Sequence, residues 1–429
     1  MTDIDGYLPR HLTSELREAL ASARVVNLVG PRQVGKTTLV RDLFEEGRFL
    51  TLDDAAVLAA MDADPEGQLL SLAEDQNTSP IIIDEAQRSR KLALAIKKIV
   101  DNNRRKGQFV LTGSSNVFTT AEVADSLAGR MRTLKLWPLS VVEINRAPLS
   151  RLIDWAMQDA PSLAQIAEPA PLGRRDYIDL ILAGGFPETR MLPLRSRQRQ
   201  YRDYVDAVVD RDVADIMPIR KPDALRFLID QMAARTAQEI NTSELAKLAK
   251  LKRETVDQYL DILLRLSMVT KLSAWMPGEG KRDIKQPKFH FVDTGIATAL
   301  RRLNDKSFEI GNSPEALGGL LESFVAGELL RALPMQDDDY RLYHWRSADR
   351  REIDVLIDGG HRLVGLEVKS SATVSADDFK HLRWFAKDGP GRGRRVSGIV
   401  LYLGQEKLTF GDGNFALPLS TLWTPIKLG

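Results

Sequence analysis

Apolar and polar residues follow two rhythms along this chain, and the switches between them mark its elements. Arg24–Val29 is a short run with the β-branched content of a buried strand. Thr37–Phe44 places Leu39, Val40 and Leu43 on one face of a helix. Ile81, Ile82 and Ile83 in succession predict a strand covered on both faces, the habit of a parallel sheet. Further strands are expected over Gln108–Gly113 and Thr133–Trp137. From Val141 to Pro222 the pattern is helical, with a proline- and alanine-rich interruption over Ala160–Leu172.

Beyond that stretch the spacing predicts two short helices, Asn241–Leu251 and Lys252–Leu264, with Thr242 or Ser243 capping the first. Leu245, Leu248 and Ala249 line one helix; Val256, Tyr259, Leu260 and Leu263 line the other. Strands over Val269–Trp275 and Pro287–Val292 follow, so this part reads as a winged helix-turn-helix. A long helix ending at Leu330 precedes a hairpin over Arg351–Lys369 that turns at Gly359–Gly360. Alternation puts Ile353, Val355 and Ile357 on one face of the hairpin with Val364, Leu366 and Val368, and puts Asp354, Glu367 and Lys369 on the other.

At 429 residues the chain suggests roughly three domains. With 43% hydrophobic and 28% charged residues it is expected to be globular. It has no cysteine, which excludes disulfides and thiolate metal sites and fits a cytoplasmic location. A formal charge of +1 argues neither for nor against nucleic acid, so any basic surface must be local. The acidic N-terminus lacks the apolar core of a signal peptide, and no run of about 18 apolar residues predicts a membrane span.

The chemistry begins at the first strand–helix junction. Gly30-Pro31-Arg32-Gln33-Val34-Gly35-Lys36-Thr37-Thr38 fits the phosphate-loop pattern G-x-x-x-x-G-K-[ST] between a predicted strand and a predicted helix. Main-chain amides there curl around phosphate oxygens at a helix N-terminus, Lys36 reaches the β- and γ-phosphates, and Thr37 ligates Mg²⁺. Asp84 and Glu85 end the triple-isoleucine strand, where open α/β sheets bind ligands. Asp84 is expected to hold Mg²⁺ and Glu85 to polarise the attacking water of an ATP hydrolase. Ser114, after the next strand, is a candidate sensor of the γ-phosphate, and Arg130 or Arg132 a candidate cation for the transition state, supplied to a neighbouring subunit.

The order of these elements resembles the AAA+ ATPases, and the wording around Lys36 is similar to one prokaryotic group in which an ATPase module precedes a characteristic C-terminal domain of poorly defined role. The similarity extends to Gly184-Gly-Phe-Pro-Glu188 and to Tyr204–Val213. It implies an α/β fold with a P-loop AAA+ parallel sheet over 1–140, a helical lid and connector over 141–222, and homo-oligomers such as a hexameric ring. The winged helix is expected over 223–311, with Lys252, Arg253, Thr255 and Gln258 at DNA bases and Lys281, Arg282 and Lys285 on phosphates.

The final segment, 312–429, resembles the PD-(D/E)xK nuclease superfamily. Glu322 stands on an apolar helix face with Val325, Ala326 and Leu329, where a carboxylate needs a partner or a metal. Glu328, in contrast, is expected to pair with Arg331 on a wet face. Carried over, the resemblance makes Glu322, Asp354 and Glu367 ligands of a second Mg²⁺ or Mn²⁺, Lys369 the catalytic lysine, and Lys380 a phosphate contact. Three functions stay open on this basis. One is a Mg²⁺–ATPase remodelling or translocating DNA, branched or junction DNA included. The others are a nucleotide-gated switch acting on protein partners and an ATP-dependent metal nuclease.

Overall fold

The computed structural model describes residues 8–44, 47–73, 79–113, 127–213, 216, 221–277, 286–309 and 314–428, without the side chains of 314–316. They fall into two compact units, one spanning 1–139 with 265–267 and the other spanning 140–264 and 268–429.

The first unit is built on five parallel strands, β1 (Val25–Val29), β2 (Arg48–Thr51), β3 (Ile81–Asp84), β4 (Phe109–Gly113) and β5 (Met131–Lys135), in the order β2-β3-β4-β1-β5. Among the described residues of this unit, helices α1 (Thr13–Ser22), α2 (Lys36–Leu43), α3 (Ala55–Ala63), α4 (Pro65–Ala73) and α5 (Leu92–Asn102) accompany the sheet. Strands β1, β3 and β4 are buried throughout, as their unbroken apolar runs require. Ile81, Ile83, Phe109 and Leu111 pack with Leu92 and Ile96 of α5 in one core. Strand β5 starts two residues before the predicted edge because Met131 pairs with Val25; the partner strand, not local propensity, sets that boundary.

The second unit carries a nine-stranded sheet ordered β13-β14-β12-β11-β10-β9-β7-β8-β6. Its strands are β6 (Gln238–Glu239), β7 (Val269–Ala274), β8 (Lys288–Phe291), β9 (Arg341–Arg346), β10 (Glu352–Asp358), β11 (Arg362–Lys369), β12 (Arg395–Tyr402), β13 (Leu408–Thr409) and β14 (Asn414–Pro418). Helices Pro222–Ala234, Thr242–Ala249 and Arg253–Arg265 precede the antiparallel pair β7–β8. A parallel pairing of β7 with β9, Ser273 beside Tyr343, carries this sheet into the C-terminal strands.

Several local expectations are corrected. Asn241, rather than Thr242 or Ser243, caps the helix that follows: its side chain accepts from the amides of Ser243 at 3.0 Å and Glu244 at 3.2 Å. The alternation expected along β10 is interrupted by a shift in register between Ile353 and Leu356, and both residues enter the same apolar cluster. Glu328 does pair with Arg331, at 2.8 Å, but it is buried and also accepts from the Val141 amide at 3.0 Å. The wet face expected there is a packed one, because the N-terminus of the short helix Val141–Ile144 covers it.

The Gly184-Gly185 turn is held by Asp293, whose buried carboxylate accepts from Gly185 at 2.6 Å, Gly295 at 2.8 Å and Ile296 at 3.3 Å. A Cβ on Gly184 would lie 2.2 Å from Asp293 Oδ1 and 2.4 Å from the Tyr201 hydroxyl, at φ +66°, so glycine is required. Removing an acceptor that serves three buried amides costs about 3 kcal/mol. Asp293→Ala is therefore expected to lower the urea midpoint of this unit markedly, and an unchanged midpoint would show that the turn stands without it.

Candidate functional site

The chain leaves β1 at Gly30 with φ +150°, beside the segment after β5. A Cβ on Gly30 would come within 2.1 Å of the Leu136 carbonyl, so no larger residue fits. Gln33 and Gly35 have φ of 61° and 93°, and the loop closes onto the N-terminus of α2 with Gly35 as its cap. Such a loop turns its amides toward an anion at the positive end of a helix. Val34 is fully buried beneath it, and Lys36 is buried with Nζ donating to the carbonyls of Gly30 at 2.9 Å and Pro31 at 2.7 Å.

Asp84, at the C-terminal end of β3, meets the loop. Thr37 Oγ1 donates to its two oxygens at 3.2 and 3.1 Å, and the Thr112 hydroxyl at the end of β4 also donates to it. Glu85 follows in a left-handed conformation, φ 53°, and its side chain accepts from the side-chain Nε2 of Gln87. Burial raises the Glu85 carboxyl above the usual range, against the pull of Lys36 and Arg32. The donor set around Asp84 is all oxygen, which suits a hard divalent cation, and the loop suits a polyphosphate.

Two residues of this site escaped sequence reading. Thr112 left one trace, a polar side chain closing an apolar strand; the candidate Ser114 beside it lies outside the described residues. Arg10 left none. It is buried, and its guanidinium donates to Val34 O at 2.7 Å and Trp137 O at 2.5 Å, tying the loop to the chain beyond β5.

The arginine candidates sit elsewhere. Arg130 immediately precedes β5, at the sheet edge opposite the loop, and grips Asp101 with Nη2 at 3.0 Å; that bond holds the Asp101 carboxyl down. Arg132 pairs with Glu15 at 3.2 Å and Glu18 at 2.9 Å.

In the second unit, Lys252, Arg253 and Gln258 are exposed and Thr255 half-buried; Arg253 pairs with Asp257 at 3.6 Å. Lys281, Arg282 and Lys285 lie outside the described residues. Lys380 is engaged with Asp377 at 2.9 Å.

The acids of the C-terminal pattern do converge. Asp354 Oδ2 accepts from the Val368 amide at 2.9 Å, and Lys369 Nζ lies 3.5 Å from Glu367 Oε2. Glu322 bonds Lys288 of β8 at 2.7 Å, and Lys288 also pairs with Glu352 and, at 3.6 Å, with Asp354. Neither Lys288 nor Glu352 was singled out from sequence, since the pairing of β7 with β9 brings their segments together. Burial and the neighbouring Asp354 push both Glu322 and Glu367 well above the usual carboxylate range. Among the described residues no group of three or more acids or histidines is arranged to hold a metal ion, and no helix is long and apolar enough to cross a membrane.

A five-stranded parallel sheet with this loop and carboxylate at its C-terminal edge defines an AAA-type P-loop ATPase fold, and residues 22–145 match the family described as AAA domain. Residues 174–307 and 317–422 match two domains of unknown function, DUF8612 and DUF4143. An uncharacterized protein of Mycobacterium tuberculosis is 30% identical over 369 residues, covering 85% of this chain and 75% of its own. The chain belongs to the family of that mycobacterial protein. An uncharacterized protein of Methanocaldococcus jannaschii is 26% identical over 378 residues, covering 82% and 80%. Among solved structures, a Walker-type ATPase of Pyrococcus abyssi is similar at TM-score 0.43 and 14% identity, over 70% of this chain and 97% of that one. The ORC1 protein of Aeropyrum pernix, solved in complex with DNA, is similar at TM-score 0.29 and 16% identity, over 70% and 95%. At those scores the similarity supports no assignment of function.

Arg10→Ala removes two charge-assisted bonds that hold the loop from behind. It is expected to weaken ATP binding about tenfold or more, measured by fluorescent-nucleotide titration. Wild-type affinity in that variant would mean the loop keeps its shape without the guanidinium.

Proposed function

We propose that this chain is a Mg²⁺-dependent ATP hydrolase that uses turnover to remodel or translocate DNA, with branched or junction DNA among its substrates. The observation that carries the first half is the meeting of Thr37 and Thr112 on Asp84 beside the loop at Lys36. Lys36 is suited to neutralise the β- and γ-phosphates, and Thr37 and Asp84 to hold the metal. A bound Mg²⁺ supplies charge neutralisation at the transferring phosphoryl group. Glu85, partly desolvated, is suited to orient the attacking water and accept its proton. Arg130 engages Asp101 in this chain, so acting on a neighbouring subunit's nucleotide in a ring, a hexamer included, would require it to leave that pair.

DNA contact is supported by the order helix, strand, helix, helix, hairpin over 222–291, which is that of a winged helix, and by exposed Lys252, Arg253 and Gln258 at the start of its third helix. A second reading has its own observation. The same helix exposes Glu254, Asp257 and Asp261, and Asp257 engages Arg253. Those acids repel phosphates and suit a protein partner whose capture is gated by nucleotide. An ATP-dependent nuclease is the third reading, and the closed ion cluster around Lys288 argues against it.

Glu85→Gln is expected to keep ATP binding while turnover falls at least about 100-fold, read by phosphate release. Wild-type turnover in that variant would remove Glu85 from the reaction. Added DNA is expected to raise the ATPase rate at low salt and lose that effect as salt rises. A protein that hydrolyses ATP yet responds to no DNA at any salt leaves the protein-partner reading standing.

A further inference from the structure

The acidic pocket of the C-terminal segment contains a cation of its own. Lys288 enters from β8, and its side chain is 2% exposed. Its Nζ lies 2.7 Å from Glu322 Oε1 and 3.6 Å from Asp354 Oδ1, and it also contacts Glu352 Oε1. Two of these three carboxylates are the ones the nuclease resemblance would assign to a metal. Oxygens about 2.0–2.1 Å from a common centre are what Mg²⁺ demands, whereas the Glu322 oxygen stands at N–H···O bonding distance from the ammonium and the Asp354 oxygen at the longer distance of an ion pair.

We propose that the Lys288 ammonium is the resident cation of this pocket and fills the position between Glu322 and Asp354 that a divalent metal would need. The inference rests on the resemblance of these acids to a nuclease site, and not on the ATPase reading. It makes the pocket an ion lock within the nine-stranded sheet and leaves phosphodiester cleavage without its metal.

Three features agree with that role. The buried Lys288 ammonium faces three carboxylates, Glu322 from the helix Pro314–Ala332 and Glu352 and Asp354 from β10, so its charge is met from two elements at once. His290, two residues along β8, is fully buried, and burial with the nearby Lys288 charge brings it down to about 3; it stays neutral and adds no second cation. Glu367 Oε1 is buried with no hydrogen-bond partner among the described residues, while Oε2 faces Lys369. That oxygen is a donor atom left over, and removal of the lysine would allow it, Glu322 and Asp354 to close on a metal.

Mn²⁺ titration of the nucleotide-free full chain, followed by electron paramagnetic resonance, tests this without any ATPase readout. Wild type and the Glu322→Gln/Asp354→Asn double variant are expected to bind the same number of Mn²⁺ ions. One more ion in wild type than in the double variant overturns the proposal. Lys288→Met is expected to gain one Mn²⁺ per chain, and adding Glu367→Gln is expected to abolish the gain. A folded Lys288→Met that gains no ion also overturns it. If Lys288→Met does not fold, the comparison of wild type with the double variant still decides. Metal-dependent cutting of supercoiled DNA by wild type, lost in Lys369→Ala, would contradict the proposal directly.

Discussion

The first unit depends on where one carboxylate can go. Asp84 ends a strand of three isoleucines, so it is carried to the sheet edge by residues that cannot be anywhere but the core. There it accepts from Thr37 behind the phosphate loop and from Thr112 on the neighbouring strand. Strand β4 lies between β1 and β3, so three strand ends contribute to one small polar cluster. The loop itself is shaped by a collision: only glycine at position 30 leaves room for the Leu136 carbonyl. Arg10 braces the loop from outside the motif. A buried polar cluster of this kind is maintained only if every group finds a partner, which is why its geometry is specific.

The second unit solves a different electrostatic problem. Four carboxylates, Glu322, Glu352, Asp354 and Glu367, are drawn together by a sheet that continues from the β7–β8 hairpin into the C-terminal strands. Their mutual repulsion must be offset by cations, and the chain provides Lys288 at the centre and Lys369 at the side. The same residues that look catalytic as a pattern are therefore read as an ion lock once their partner is seen. Asp293 acts on a smaller scale, its carboxylate satisfying three amides at the Gly184–Gly185 turn.

How far these features were legible depended on how local their cause was. The phosphate loop, β3 and the helices around Val256 and Tyr259 are written in short spacing patterns, and the structure reproduces them within a residue or two. Glu322 was legible as an acid on an apolar face, but its partner was not, because Lys288 reaches it only through tertiary pairing. Glu328 shows the converse: its bond to Arg331 was readable from spacing, and its burial was not, since the short helix beginning at Val141 covers it. Arg10 and the shift between Ile353 and Leu356 have no sequence signal of their own; both answer to neighbours far along the chain. The cap at Asn241 was missed by one position because adjacent residues compete equally for that role.

The central claim is that the amides ahead of Lys36, with Thr37 and Asp84, form a nucleotide site. Isothermal titration of the purified full chain with Mg²⁺–ATP tests it most directly. The account predicts one saturable site per chain in wild type and its loss in Lys36→Ala. Absence of binding in folded wild-type protein, or equal binding in both, would contradict it.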